Sequence, residues 1–194
     1  MVVGVLALQG GFAAHARVLR ELGAEVREVR VPADLRGLDG LVIPGGESTT
    51  MTLGIERDGL AEPVRELAAG GTPVLGTCAG LILLDREHLG LMDIEARRNA
   101  FGRQVRSFEV DLDMKGIDGP PLRAVFIRAP WIADHGDGVE ILASVDGHPV
   151  AARQGALLAV AFHPELGDDT RLHERFLAAC ASARERAASS RQGD

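Results

Sequence analysis

The chain opens on short apolar runs that alternate with stretches of helical periodicity. Val2 to Leu8 is continuously apolar apart from Gly4, the pattern of a strand buried on both faces of a parallel sheet. Phe12 to Leu22 then carries Phe12, Ala16, Leu19 and Leu22 at helical spacing, and Gly23 ends it. Glu25 to Val31 alternates charged and apolar residues, as a half-buried strand does. Leu41 to Ile43 predicts a third strand, closed by Pro44-Gly45-Gly46-Glu47-Ser48. Ser48 to Ala69 reads as helix, interrupted near Asp58-Gly59. Pro73 to Thr77 predicts a fourth strand that runs straight into Cys78. Strand and helix in alternation imply a parallel sheet with right-handed crossovers.

The second half changes character. Ser107 to Met114, Arg123 to Ile127, Val139 to Val145, Val150 to Arg153 and Leu157 to Phe162 read as strands with little helix between them. Gln154-Gly155 predicts the hairpin turn between the last two. Asp169 to Ala183 is a closing helix with Leu172, Phe176, Leu177 and Cys180 on one side. The fold class expected is α/β, an open and mostly parallel sheet flanked by helices, with additional antiparallel strands in the second half. One domain is expected over residues 1–183 and a flexible tail over 184–194, where the chain turns small, charged and polar.

Composition narrows the classes of function. A formal net charge of -7 argues against nucleic acid or an anionic membrane as partner. No apolar run approaches the roughly 20 residues of a membrane span. Met1 to Leu8 lacks the basic start of a secretory signal. Two cysteines, Cys78 and Cys180, are too few for a disulfide framework and fit a reducing cytoplasm. No phosphate loop or dinucleotide glycine motif is present, so no bound nucleotide and no cofactor are expected.

The chemistry concentrates at strand ends. Gly76-Thr77-Cys78-Ala79-Gly80 is the cysteine counterpart of the Gly-x-Ser-x-Gly elbow, a turn sharp enough that glycines must flank the nucleophile. A lone cysteine at a strand end is ordinarily a core residue. The flanking glycines and the switch from strand to helix pattern favour a nucleophile at the amino end of a helix, where unpaired N–H groups and the dipole favour a thiolate. A thiol nucleophile needs a base, and the base needs an orienting group. Of six histidines, His163 follows a strand end and has a carboxylate, Glu165, two residues on. In extended backbone such residues point to one side, so Glu165 can bond one imidazole nitrogen while the other faces the thiol. His15, His88, His135, His148 and His173 lack such context and read as surface or packing residues. Asp134, His135 and Asp137 mimic a metal loop, but their spacing fits no standard site; a turn is expected there, and no metal. Gly45-Gly46 is either a plain turn or a source of a backbone N–H that, with the N–H of Ala79, makes an oxyanion hole.

Thr77-Cys78-Ala79-Gly80 together with His163-Pro164-Glu165 resembles the class I (triad) glutamine amidotransferases. Five segments narrow this to the glutaminase-subunit family of pyridoxal 5′-phosphate synthase. They are Leu8-Gln9-Gly10, Pro44 to Met51, Gly76 to Leu81, Arg98 to Gln104, and Phe126-Ile127-Arg128-Ala129-Pro130. The resemblance implies a flavodoxin-like three-layer sandwich. It implies hydrolysis of L-glutamine by Cys78, His163 and Glu165, with an oxyanion hole at Gly46 and Ala79. It puts Gly46, Glu47, Ser48, Arg98, Ile127 and Arg128 at the substrate, and Gln9 at the site or a partner surface. It implies that the protein partner is a synthase with a (β/α)8-barrel fold. Asp85 to Leu91 is shorter than the family pattern, a local difference that carries none of the triad.

Three other readings compete. A cysteine hydrolase or chaperone-like stress protein would share the elbow, but such proteins usually place an acid before the nucleophile strand and lack a late His-x-Glu. A non-catalytic binding subunit would keep the fold, yet all three triad residues are present. Another amidotransferase glutaminase, serving histidine or nucleotide synthesis, would share Cys78 and His163 but not Pro44 to Thr50 or Phe126 to Pro130.

Overall fold

The computed structural model describes residues 1–98 and 107–190. The first half comprises β1 (Val2–Leu6), α1 (Phe12–Glu21), β2 (Glu25–Val29), β3 (Gly40–Ile43), α2 (Ser48–Arg57), α3 (Ala61–Ala69), β4 (Val74–Thr77) and α4 (Ala79–Leu84). Strands then dominate: β5 (Ile94–Arg97), β6 (Ser107–Leu112), β7 (Leu122–Ile127), β8 (Trp131–His135), β9 (Glu140–Val145), β10 (His148–Gln154) and β11 (Leu157–Val160). The helix α5 (Arg171–Ser190) closes the described chain.

Among the described residues the main sheet has seven strands in the order β2-β1-β3-β4-β11-β10-β9. The five from β2 to β11 are mutually parallel, and β10 and β9 add on antiparallel. The central strands β1, β3, β4 and β11 are buried along almost their whole length, whereas the edge strand β2 is fully buried only at Val29. That difference explains their sequences. A four-residue strand such as β3 offers few ladder bonds, so its stability comes from burying Leu41, Val42 and Ile43 on both faces, about 1.5–3 kcal/mol for each such side chain. Right-handed crossovers run outward from β1 and β3 in opposite directions, which puts α1 and the α2–α3 pair on opposite faces. The connections diverge between β1 and β3, and the crevice at the carboxyl ends of such a pair is where open α/β sheets bind ligands.

α4 is held hard against the sheet. A Cβ added to Gly80 would lie 2.0 Å from the Ile43 carbonyl oxygen, so the first turn of α4 touches the backbone of β3. On the other side, α5 lays Leu172, Phe176, Leu177 and Cys180 into the core. Burial pushes the Cys180 thiol up to about 12, and its sulfur lies over Gly40, so this cysteine is a packing residue.

Three sequence expectations are corrected. α5 continues past Ala183 to Ser190, because Ala183, Arg184, Glu185, Arg186, Ala187 and Ala188 are good helix formers despite their polarity. β5 and β8 form an antiparallel ribbon that the sequence pattern did not announce. Of Asp134, His135 and Asp137, where a turn is expected, Asp134 and His135 are therefore strand, pinned by Arg86, which reaches Asp93 and Asp134 at 2.6 Å each, and Asp137 lies in the turn that follows. A second antiparallel ribbon, β6–β7, stacks Phe108 on Phe126, and Phe126 leans on Phe162 just before His163. Asn99 to Gln104 of the family-like motif, and 191–194 of the expected tail, lie outside the described residues.

The Gly80 contact is testable. Gly80→Ala presses a methyl into backbone rather than a movable side chain, so a loss of about 3 kcal/mol or more is expected in chemical denaturation. Gly138→Ala, whose nearest neighbour would be the Gln154 amide at 3.8 Å, should be close to neutral.

Candidate active site

The elbow after β4 is strained. Cys78 has φ +49° and ψ -105°, a conformation that costs a non-glycine residue about 1–3 kcal/mol. It is held because the Cys78 N–H donates to Val160 O at 2.8 Å while Gly80 is locked on β3. The thiol is thereby lifted to the carboxyl edge of the sheet. The ends of the strands on either side of β4 supply the rest. After β3, Gly45 comes so close that a Cβ there would meet His163 Cε1 at 2.5 Å and Cys78 Cβ at 3.1 Å. After β11, His163 is fixed by its own N–H, which donates to Val125 O at 2.9 Å.

These ends surround a cavity of about 460 Å³, within the range of small-molecule sites. Gln9, Gly46, Glu47, Ser48, Cys78, Ala79, Arg98, Ile127, Arg128, His163 and Glu165 all line it. The residues expected at the triad, oxyanion hole and substrate are thus at one site, though they are drawn from the ends of four parallel strands, of β5 and of β7.

His163 Nδ1 lies 2.8 Å from Glu165 Oε1. The pairing has a different backbone origin from the one expected: Pro164–Leu166 is a turn of 3-10 helix, not extended chain, and the turn folds Glu165 back under the ring. Burial disfavours the charged form of His163, but hydrogen bonds to Cys78 and then Glu165, with the charges of both, outweigh it and raise the imidazole to about 10. Burial likewise opposes the Glu165 charge, but His15 at ion-pair distance and His163 through its hydrogen bond hold this carboxyl well below the ordinary carboxylate range. The arrangement is an imidazolium between the Cys78 sulfur and a carboxylate, suited to proton delivery. Cys78 Sγ also lies 3.9 Å from Ile127 O, at the end of β7.

The Gly45-Gly46 turn is braced from two sides. Gly11 N–H donates to Gly45 O at 2.9 Å, and a trans peptide therefore aims the Gly46 N–H away from Gly11. Glu47 N–H donates to Gln9 Oε1 at 2.7 Å, so Gln9 is a brace for this turn. The Glu47 carboxylate accepts from the Thr50 and Thr49 N–H groups and the Thr50 hydroxyl, capping α2; these bonds lower its pKa to about 2. Arg98 donates to Thr49 Oγ1 at 3.1 Å and lies 3.1 Å from His88 Nε2, while His88 Nδ1 is 2.7 Å from the buried Asp85. The Asp85 to Leu91 segment thus carries a support for Arg98, a role that reading His88 as a surface or packing residue missed. Arg128 sits at φ +45°, a second strained residue at the cavity wall.

Two more histidines were missed. His15 and His173 are completely buried and hydrogen-bonded to each other at 3.0 Å, with His15 reaching under Glu165. The signal was present: His15 is three residues after Phe12 and four before Leu19, on the apolar face of α1. His173 holds the matching place before Phe176 and Leu177 on α5.

A thiol elbow, a carboxyl-edge cavity and this strand order define the fold of the class I glutamine amidotransferases. The chain belongs to the SNO glutamine amidotransferase family, whose sequence profile matches residues 5–182. It is 54% identical over 184 residues to a pyridoxal 5′-phosphate synthase subunit PdxT of Parafrankia sp. (strain EAN1pec), covering 90% of this chain and 91% of that one. It is 55% identical over 190 residues to the PdxT of Pelotomaculum thermopropionicum, covering 94% and 97%. A solved glutamine amidotransferase superposes with a TM-score of 0.88 at 45% identity, over 93% of this chain and all of that one. A putative GMP synthase component of Thermoplasma acidophilum gives a TM-score of 0.74 at 22% identity over 96% and 97%, a likeness of fold.

Two measurements test the site's energetics. Removing the Cβ from the strained elbow should make Cys78→Gly about 1 kcal/mol more stable than Cys78→Ala, read as a difference in denaturation midpoints. The folded His163 is raised above its free value of 6.5, so its ion pair contributes fully below that pH and fades as pH rises toward about 10. The stability gap between wild type and His163→Gln should shrink across that window; a gap that widened with pH would contradict the assignment.

Proposed function

We propose that this chain hydrolyses L-glutamine to L-glutamate and ammonia with Cys78, His163 and Glu165, and passes the ammonia to a synthase subunit that makes pyridoxal 5′-phosphate. The observation that supports it is His163 seated between the elbow thiol and Glu165 in a cavity of substrate size, in a chain of this family.

The steps follow from the groups present. His163 already holds the proton of the Cys78 thiol, and the Cys78 thiolate attacks the side-chain carboxamide carbon. The N–H groups of Gly46 and Ala79 receive the oxyanion; Ala79 opens α4, where helix N–H groups lack intrahelical acceptors. The His163 imidazolium protonates the leaving nitrogen, ammonia departs, and a thioester to Cys78 remains. His163, now neutral, takes a proton from water, which attacks the thioester and releases glutamate. Glu165 fixes the ring through Nδ1, leaving Nε2 for the reacting atoms. Arg98 and Arg128 suit the substrate carboxylate through paired hydrogen bonds. Ser48 and Ile127 shape the wall, and Glu47 acts mainly by holding the Gly46 turn.

Ammonia released into water at neutral pH is mostly protonated and no longer nucleophilic, so a protected path into the partner is required. The partner proposed is the (β/α)8-barrel synthase, and its docking completes the oxyanion hole. The reducing cytoplasm suits a site that works through a free thiol, and both cysteines are free. No described helix is long and apolar enough to cross a membrane.

Glutamate release should rise strongly when purified synthase is added, and Cys78→Ala should abolish it in both conditions. Equal rates with and without the partner would end the activation idea; full activity in Cys78→Ala would end the hydrolytic one.

A further inference from the structure

The triad does not end at Glu165. His15 from α1 and His173 from α5 are both wholly buried behind it, and none of the chemical steps above uses them. His15 Nε2 lies 3.2 Å from Glu165 Oε2 and 3.1 Å from Thr77 Oγ1; its Nδ1 lies 3.0 Å from His173 Nε2. Thr77 Oγ1 meets hydrogen-bond geometry with His15 Nε2, while Glu165 Oε2 is at ion-pair distance and off the line of that bond. No hydrogen bond reaches Oε2 from elsewhere among the described residues. His173 Nδ1 is buried and has no hydrogen-bond partner there either.

These partners fix the tautomers. An N–H buried without an acceptor is costlier and rarer than a bare acceptor lone pair. His173 Nδ1 therefore carries no proton, and the single N–H of the neutral ring is on Nε2, donating to His15 Nδ1. Burial, with His15 next to it, pushes the His173 imidazole down to about 3, consistent with a neutral ring. His15 Nδ1 is then an acceptor, so the His15 proton is on Nε2, facing Thr77 and Glu165. The reverse tautomer would point a lone pair at a buried carboxylate oxygen and strand an N–H on His173.

We propose that His15 is a positioning residue of the hydrolytic site: its Nε2–H, in a tautomer set by His173, steadies the far oxygen of Glu165 so that the near oxygen stays on His163. A buried carboxylate oxygen without a donor invites protonation or rotation of the group. Either would loosen the His163 ring and weaken its hold on the Cys78 proton.

Two substitutions separate this from a packing role. His15→Gln can keep a donor where Nε2 was and gives up the acceptor toward His173. His15→Asn can keep the acceptor toward His173 and gives up the donor. Three quantities are read on the full chain: kcat and KM for glutamate release with the synthase bound, the rate of Cys78 alkylation by iodoacetamide, and the thermal midpoint. Both variants should lose thermal stability to a similar extent. His15→Asn should lower kcat about tenfold or more, as loss of an orienting partner does elsewhere, and slow alkylation of Cys78 in parallel. Its KM should stay within about twofold, because no substrate contact is lost. His15→Gln should retain most of both rates. Equal behaviour of the two variants, or a loss confined to thermal stability, would overturn the proposal. Should His15→Asn not fold, His173→Phe removes only the donor that sets the tautomer; a smaller fall in both rates is expected, and unchanged rates would count against it. Only the kcat and KM readouts rest on the glutaminase reading. Were the wild type to release no glutamate, that reading would fail, while alkylation of Cys78 would still decide the role of His15.

Discussion

The contact between the first turn of α4 and the backbone of β3 carries the rest of the molecule. With Gly80 pressed on the Ile43 carbonyl, the chain has no room to relax between β4 and α4, and Cys78 is forced to a left-handed φ. Strain of this kind persists only where surrounding structure over-determines it. Here the determinants are a hydrogen bond from the Cys78 N–H to β11 and a core packed on both faces of β3 and β4. The apolar interior is what keeps the thiol raised.

The polar side of the site follows the opposite rule. Under the elbow lies a chain of buried ionisable groups, His163, Glu165, His15 and His173, in a region where an unpaired charge is expensive. Each group is tolerated because its neighbour supplies what it lacks. Glu165 is charged because two histidines flank it, His163 is protonated because the Cys78 sulfur and a carboxylate face it, and His173 stays neutral at the end of the line. The elements bearing them are far apart in the chain, so this charge pattern also staples α1 and α5 to the end of β11.

The cavity wall opposite the triad is built differently, from short braces on exposed loops. Gln9 holds the Glu47 N–H, Glu47 caps α2, and Asp85 with His88 holds Arg98 near Thr49. The Gln9 and Glu47 bonds join exposed groups and are individually weak, since water competes for each partner, whereas Asp85 is buried beneath His88. A rigid floor under a more adjustable rim suits the proposed activation by a docked partner.

Much of this could be read from the residue order. Continuous apolar runs named β1, β3, β4 and β11, because a strand buried on both faces admits few polar residues. The elbow was legible because sharp turns admit so few side chains near Cys78, and His163 stood out by its place at a strand end. The His163–Glu165 pair was also foreseen, though through an extended backbone where the chain in fact makes a 3-10 turn. What escaped was whatever depended on another element. β5 and β8 are weak strands whose pairing is supplied by each other and by Arg86, so neither has a local signature. His15 and His173 each look like one polar residue on an apolar helix face, and only their meeting across α1 and α5 gives them a partner. Sequence by itself determined which residues must be buried and where the chain must bend, because those constraints act on neighbours along the backbone. Tertiary structure alone decided which buried polar groups touch, because that depends on distances between segments that periodicity cannot measure.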